Sequence, residues 1–191
     1  MLNSSYKLRH GPNRNPNSKT KQGYYRLTNK DKYVGDPELI VFRSSWELKF
    51  CKWADFSPSI KRWSSEPISV NYYDKVSKLE ECKKLNLDPN NPKNWMLKRY
   101  HVDFWLEIDR GESVDKWFIE IKPANKLNKP IPPNINAPLK EQRKFNRDAK
   151  EYLINEEKWK AMNEFATKNG AKFFIFTENE LERLLGRFFM R

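Results

Sequence analysis

The chain has 191 residues, a length sufficient for one domain with a hydrophobic core and some extensions, and its formal net charge is +12. It contains no apolar run long enough to cross a bilayer and no signal peptide pattern, so we expect no membrane association. Two cysteines without a CxxC pair and two histidines argue against a disulfide framework, a zinc site and histidine-centred catalysis.

The excess of positive charge lies in an N-terminal arm, residues 1–33, which holds eight basic residues and one acidic residue. Its polar composition and few aliphatic residues predict a flexible segment. A basic arm is typical of nucleic-acid binding, so its side chains are expected to neutralise phosphates of double-stranded DNA. The candidates are Arg9, Arg14, Lys19 and Lys21. A solvated tail that keeps the protein soluble is the alternative interpretation.

Residues 34–191 are predicted to form a single domain, whose first helix runs from Ser44 to about Asp55. Aromatic residues recur in this helix at spacings of four and three, which places them on one face. Ser44 and Glu47 form a capping box, in which the glutamate would bond back to the Ser44 amide. A strand over 68–72 follows, because its apolar residues alternate with polar ones.

The sequence of the middle of the chain predicts an insertion, a hairpin and a loop. Residues 74–98 look like an insertion, with a short helix over 76–87 before a loop rich in Asp, Asn and Pro. A β-hairpin is predicted over 100–122, with its turn at 109–112. Five prolines make residues 123–138 an extended, irregular loop, and such a long loop is usually functional or mobile.

The end of the chain returns to regular structure. Helical composition covers 139–169, most clearly 155–169, and Gly170 marks the end of this helix. Residues 172–176 form a short apolar strand, and a capping box over 177–180 opens a final helix. The core order is therefore α-β-β-β-α-β, in which a helical crossover adds the last strand in parallel.

The hairpin has one apolar face and one charged face. Because side chains alternate along a strand, Asp103 on the first strand shares a face with Glu120 and Lys122 on the second. A hairpin that is symmetric about its turn places Asp103 opposite Glu120, and Phe104 opposite Ile119. Facing carboxylates repel, and a hard divalent cation such as Mg²⁺ between them would relieve this. An ordinary charged outer face is the alternative.

An Asp on one strand and Glu-x-Lys on the next resemble the signature of the PD-(D/E)XK nuclease superfamily, which has the same core order. The resemblance implies an α/β fold with a mixed sheet and helices on both faces. It also implies Mg²⁺-dependent hydrolysis of DNA, with Mn²⁺ able to substitute and no small-molecule cofactor. Asp103, Glu120 and the Ile121 carbonyl would bind the metal. Glu47 would complete or orient the coordination shell, and Lys122 would position water or stabilise the transition state.

Longer motifs are Gln22-Gly23-Tyr24-Tyr25, Phe42-Arg43-Ser44-Ser45-Trp46-Glu47, Val70-Asn71-Tyr72-Tyr73, Glu120-Ile121-Lys122-Pro123 and Asn155-Glu156-Glu157-Lys158-Trp159-Lys160-Ala161. As a set they resemble the head completion nucleases of T-even-type tailed phages. The core also resembles transposase-type endonucleases that cut the non-transferred strand. The phage resemblance implies a DNA nuclease that acts before heads join tails, in the cytoplasm of the infected bacterium. Phage head, portal or neck proteins as partners, and retention in the virion, are further expectations.

Two other functions stay open at this point. One is a non-catalytic DNA-binding or neck-assembly protein that keeps a nuclease-like fold, and the other is a site-specific endonuclease of a transposition or restriction complex. Arg43, Lys158 and Lys160 are further candidates for contacts with DNA phosphates. Solvated helix charges are the alternative interpretation of the two lysines.

Overall fold

The computed structural model describes residues 22–189. This part of the chain divides into two compact units. The first unit comprises residues 22–69, 101–123 and 166–189, and the second unit comprises residues 70–100 and 124–165. Among the described residues, no helix is both long enough and apolar enough to span a membrane.

The chain alternates helices and strands, which confirms a mixed α/β protein. In chain order they are β1 (Gly23–Tyr24), β2 (Val41–Phe42), α1 (Ser45–Phe56), β3 (Ile60–Ser65), β4 (Ser69–Asp74), α2 (Leu79–Lys84), β5 (Met96–His101), β6 (Phe104–Asp109), β7 (Val114–Ile121), α3 (Leu139–Lys168), β8 (Lys172–Phe176) and α4 (Glu178–Phe189). Short 3-10 helices lie at Lys30–Lys32, Pro92–Asn94 and Ala124–Lys126.

A four-stranded mixed sheet forms the first unit, with strand order β3-β6-β7-β8. β3, β6 and β7 are antiparallel neighbours, whereas β8 lies parallel to β7. The hairpin of β6 and β7 has the predicted register, with Phe104 opposite Ile119 and Asp109 opposite Val114. Gly111 adopts φ +83° in the turn, a conformation that glycine reaches without a steric penalty.

The core of this unit lies on the apolar face of the hairpin, as the alternation predicts. Its β6 and β7 residues pack with buried side chains of α1 and α4. Phe50 of α1 stacks on Phe104, with 4.5 Å between ring centroids. The opposite face of the hairpin, with Trp105, Phe118 and Glu120, is also buried. The expected helix on that second face stays a prediction.

The first strand of the large sheet differs from the prediction. The sequence predicts it over 68–72, but the strand beside β6 is Ile60–Ser65, and β4 instead pairs with β5 in a separate two-stranded sheet. A register shift between Ile60 and Arg62 interrupts the alternation of β3. Ile60 and Trp63 can therefore both enter the core, although their spacing does not match a strand.

Residues 22–33, the described part of the predicted arm, are folded. β1 pairs with β2, and the short 3-10 helix at Lys30–Lys32 follows. Asp55 of α1, fully buried, holds this segment by accepting hydrogen bonds from the Tyr25 hydroxyl at 2.8 Å and the Thr28 N–H at 2.9 Å. The folded part of the chain thus begins before residue 34.

The second unit contains the whole predicted insertion, 74–98. The helix expected over 76–87 is present as the shorter α2, and the strands β4 and β5 flank the insertion. The proline-rich segment 123–138 has no regular structure beyond the short 3-10 helix at Ala124–Lys126, as predicted. Its Ile131 and Ile135 are highly exposed, at 87% and 91%.

The C-terminal elements agree with the sequence prediction. α3 extends over most of the range 139–169, and Gly170 follows it with φ +63°. β8 has the predicted limits, and α4 begins at Glu178, within the predicted capping box. The predicted capping box is formed, because the Glu180 carboxylate accepts the Thr177 N–H at 2.9 Å and also bonds the Thr177 hydroxyl.

Candidate active site

Glu47 lies in the first turn of α1, where it completes a variant of the predicted capping box. The Glu47 N–H donates to Ser44 Oγ at 3.1 Å, and the Ser44 hydroxyl donates back to Glu47 Oε1 at 2.9 Å. Glu47 Oε2 accepts the backbone N–H of Arg43 at 2.8 Å, rather than that of Ser44. Burial raises the pKa of the Glu47 carboxyl, and these hydrogen bonds oppose the rise.

Asp103 lies one residue before β6, at the point where the hairpin ladder ends. Its Oδ2 accepts the Ile121 N–H of the neighbouring strand at 2.8 Å. Burial raises the pKa of Asp103 well above its usual range, and the negative charges of Glu120 and Glu47 raise it further. The structure therefore brings these three predicted carboxylates into one electrostatic cluster.

Glu120 and Lys122 lie at the end of β7, on the face predicted to carry the charge. Lys122 Nζ pairs with Glu120 Oε1 at 2.9 Å. Burial alone would lower the pKa of Lys122, but the charges of Glu120 and Asp103 outweigh it and raise the pKa. The Lys122 N–H donates to the Phe176 carbonyl of β8 at 2.9 Å, so the parallel strand fixes the backbone here.

Glu66 is an acidic residue of this region that the sequence interpretation missed. Its N–H donates to the Asp103 carbonyl at 2.8 Å, and its Oε1 accepts from Arg43 Nε at 3.0 Å. Its negative charge also raises the pKa of Glu47. Nothing in the local pattern signals it, because the contacts with Arg43 and Asp103 exist only in the folded chain.

A match to a known protein family covers most of this cluster of charged residues. The profile of a family described as "TnsA-like endonuclease N terminal" matches residues 57–178, more than half of the chain. The chain belongs to this family. The matched range of the TnsA-like domain contains Asp103, Glu120 and Lys122, whereas Glu47 precedes it, so the assignment of Glu47 depends on its position in the structure.

A curated relative supports the same conclusion over a longer range. The head completion nuclease of Enterobacteria phage T4 is 33% identical to this chain over 156 residues, which make up 82% of this chain and 90% of that protein. Together with the TnsA-like match, it confirms the resemblance predicted from the sequence motifs and the expectation of a nuclease.

A TnsA-like endonuclease domain implies a divalent metal cofactor, and the donor set of this cluster fits one. Within residues 22–189, no three acidic, histidine or cysteine side chains already converge as a metal-binding group. Protein donors bind each of the three carboxylates. The chemistry is nevertheless suitable, since carboxylate and carbonyl oxygens are the ligands of hard cations.

The predicted DNA-binding residues of the TnsA-like chain have different surroundings. Arg43 Nε is paired with Glu66, and Lys158 Nζ lies 5.8 Å from the ring centroids of both Tyr72 and Tyr100 in the second unit. Lys160 is exposed on α3. Arg9, Arg14, Lys19 and Lys21 lie outside the described residues, and all seven assignments stay predictions.

Proposed function

We propose that this chain is a metal-dependent DNA nuclease of the PD-(D/E)XK type that acts in phage head completion. The observation that carries the proposal is the clustering of Glu47, Asp103, Glu120 and Lys122 in a TnsA-like endonuclease chain. The αβββαβ core is part of the proposal, with β3, β6 and β7 between α1 and α3, and β8 as the last strand. The named function of the phage T4 relative supports the biological role.

Asp103, Glu120 and the Ile121 carbonyl would hold the cation, proposed to be Mg²⁺ with Mn²⁺ as a substitute. Glu47 would complete or orient this set. When bound, a divalent ion polarises the phosphate and lowers the pKa of water. The Ile121 N–H fixes the Asp103 carboxylate beside the end of β7, which preorganises the oxygen donors.

Lys122 would supply the positive charge of the reaction centre. Its Nζ is held at 2.9 Å from Glu120, and neighbouring carboxylates keep it protonated by raising its pKa. A fixed ammonium group at this place can orient the attacking water and stabilise the negative charge that develops on the phosphate. It donates a hydrogen bond in this role and does not act as a base.

The DNA substrate is proposed from the net charge of the chain, and the cellular location and protein partners are proposed from the named relative. A net charge of +12 suits double-stranded DNA, because basic side chains that neutralise phosphates release counterions. We place the reaction in the cytoplasm of the infected bacterium, with head, portal or neck proteins as partners and with retention in the virion. The phage T4 relative supports this setting by its name alone.

The proposal is tested by nicking of supercoiled plasmid with Mg²⁺ and with EDTA. The wild-type chain should nick only with the metal, and Asp103→Asn and Lys122→Ala should each reduce the rate by at least about a hundredfold. Asp148→Asn is a matched control, because Asp148 pairs with Lys126 and Lys144 in the second unit. Unchanged cleavage by either site variant would refute its assignment.

The TnsA-like match also favours a second candidate, a site-specific endonuclease that works in a larger complex. Sequencing of the cut ends separates the two functions. Cuts at a fixed sequence would favour the second candidate, whereas scattered cuts or cuts at DNA ends would favour head completion.

A further inference from the structure

The connection between β3 and β4 contains a glutamate in an unusual backbone conformation. Glu66 has φ +45°, in the left-handed region that residues other than glycine and asparagine seldom adopt. Proline follows it at position 67, and a residue before proline is normally extended. The hydrogen bond from the Glu66 N–H to the Asp103 carbonyl holds this turn against the candidate active site.

The side chain of Glu66 is buried with one oxygen unsatisfied. It is 10% exposed, and Arg43 Nε binds Oε1 at 3.0 Å. Oε2 is also buried but has no hydrogen-bond partner within residues 22–189. A buried carboxylate oxygen without a donor is costly, so such a group normally binds a cation or an ordered water.

Arg43 places Glu66 next to Glu47. The Arg43 backbone N–H donates to Glu47 Oε2 at 2.8 Å, while its side chain pairs with Glu66. Arg43 therefore connects two carboxylates that repel each other. Arg43 Nε binds the other oxygen, Glu66 Oε1, so Glu66 Oε2 is an oxygen donor without a hydrogen-bond partner among the described residues.

We propose that Glu66 is a further cation-binding carboxylate of this site, an inference that rests on the proposed nuclease function. Glu66 Oε2 contributes an oxygen donor on the Glu47 side of the cluster, to the ion or to a water bound to the ion. Asp103 and Glu120 supply the donors from the hairpin. The turn at Glu66 thus orients a functional side chain, and its backbone conformation serves this purpose.

Direct metal binding tests the inference without the use of activity. The full-length chain is titrated with Mn²⁺ in the absence of DNA, by calorimetry and by the loss of the free Mn²⁺ spin-resonance signal. Glu66→Gln should weaken the Kd about tenfold, as expected for loss of a supporting ligand. Gln keeps an oxygen that can accept from Arg43, so the variant removes mainly the charge.

Glu107→Gln is the matched control for this experiment. Glu107 is a buried glutamate of the four-stranded sheet, and both of its oxygens bond to Arg62, at 2.6 and 2.9 Å. The same loss of charge at Glu107 should leave the Kd for Mn²⁺ unchanged. Glu66→Asn is a second test variant, because asparagine tolerates positive φ, and it should also weaken the Kd about tenfold.

The outcomes separate this inference from the proposed function. Unchanged Mn²⁺ affinity in both Glu66 variants, with binding lost in Asp103→Asn, would overturn the role of Glu66 and leave the nuclease proposal intact. A lower melting temperature without a change in Kd would likewise mean that Glu66 only holds Arg43. A wild-type chain that binds no Mn²⁺ would overturn the metal-dependent function, and the inference with it.

Discussion

The surroundings of Asp74 in the second unit and of Asp103 in the first shift the pKa of the carboxyl in opposite directions. Asp74 is 1% exposed, yet it accepts hydrogen bonds from the Val76 and Ser77 N–H groups, the Ser77 hydroxyl and Lys98 Nζ. Burial alone would raise the pKa of Asp74, but these donors outweigh it and lower the pKa to about 2.

Asp103 has the opposite balance of interactions. The Ile121 N–H donates to it, while burial and the charges of Glu120 and Glu47 raise its pKa. Burial by itself therefore does not distinguish the structural carboxylate of Asp74 from that of Asp103, which we propose to be functional. The distinction lies in the donors that lower the pKa of Asp74, against the burial and neighbouring carboxylates that raise the pKa of Asp103.

The largest expected difference appears when each aspartate is changed to asparagine. Asp74→Asn should lower the free energy of unfolding by about 3 kcal/mol, because it leaves Lys98 without its anion and weakens several hydrogen bonds. Asp103→Asn in EDTA should change stability little or increase it, since it removes repulsion. Urea unfolding measures both, and an equal loss in the two variants would contradict the comparison.

Lowering the pH should reduce the free energy of unfolding by a somewhat smaller amount, through protonation of Asp74. The pKa of Asp74 is lowered from 3.8 to about 2 on folding, so its contribution is complete above pH 4 and is lost as pH falls through 2. The loss should amount to roughly 2 kcal/mol. Unfolding free energies of wild type and Asp74→Asn, measured between pH 5 and 2, should converge. Parallel curves would mean that the Asp74 charge does not stabilise the fold.

The smallest expected change in stability is that between variants of two buried glutamates of the same sheet, Glu107 and Glu120. Glu107→Gln should cost about 1 kcal/mol, because it weakens a two-bond pair with the half-exposed Arg62. Glu120→Gln should leave the metal-free fold intact or stabilise it slightly, while metal binding is lost. Melting curves in EDTA measure both changes. Strong destabilisation by Glu120→Gln would assign Glu120 a mainly structural role, paired with Lys122.

The elements that the sequence predicts well are those whose signals are local. Strict alternation fixes the register of the hairpin, and a Thr-to-Glu spacing of three residues marks the start of α4. Asp103, Glu120 and Lys122 follow from that register, because a shift of one residue would turn the apolar side chains away from the core.

The features that the sequence does not predict depend on tertiary structure. The sequence pattern does not predict β3, because a bulge between Ile60 and Arg62 gives its two core residues the wrong spacing for a regular strand. Glu66 depends on a positive φ and on an arginine 23 positions earlier. Lys158 faces the tyrosine rings of strands that are distant in sequence. None of these has a local pattern.

The double attachment of Glu47 has a practical consequence for anyone who needs an inactive form of this protein to trap a DNA complex. Its carboxylate bonds Ser44 and the Arg43 backbone, so it also holds the first turn of α1. Replacing it would disturb the start of a core helix together with the chemistry. Under the proposed mechanism Asp103→Asn is the better choice, because the isosteric amide removes a proposed metal-binding carboxylate and keeps an oxygen that can accept the Ile121 N–H.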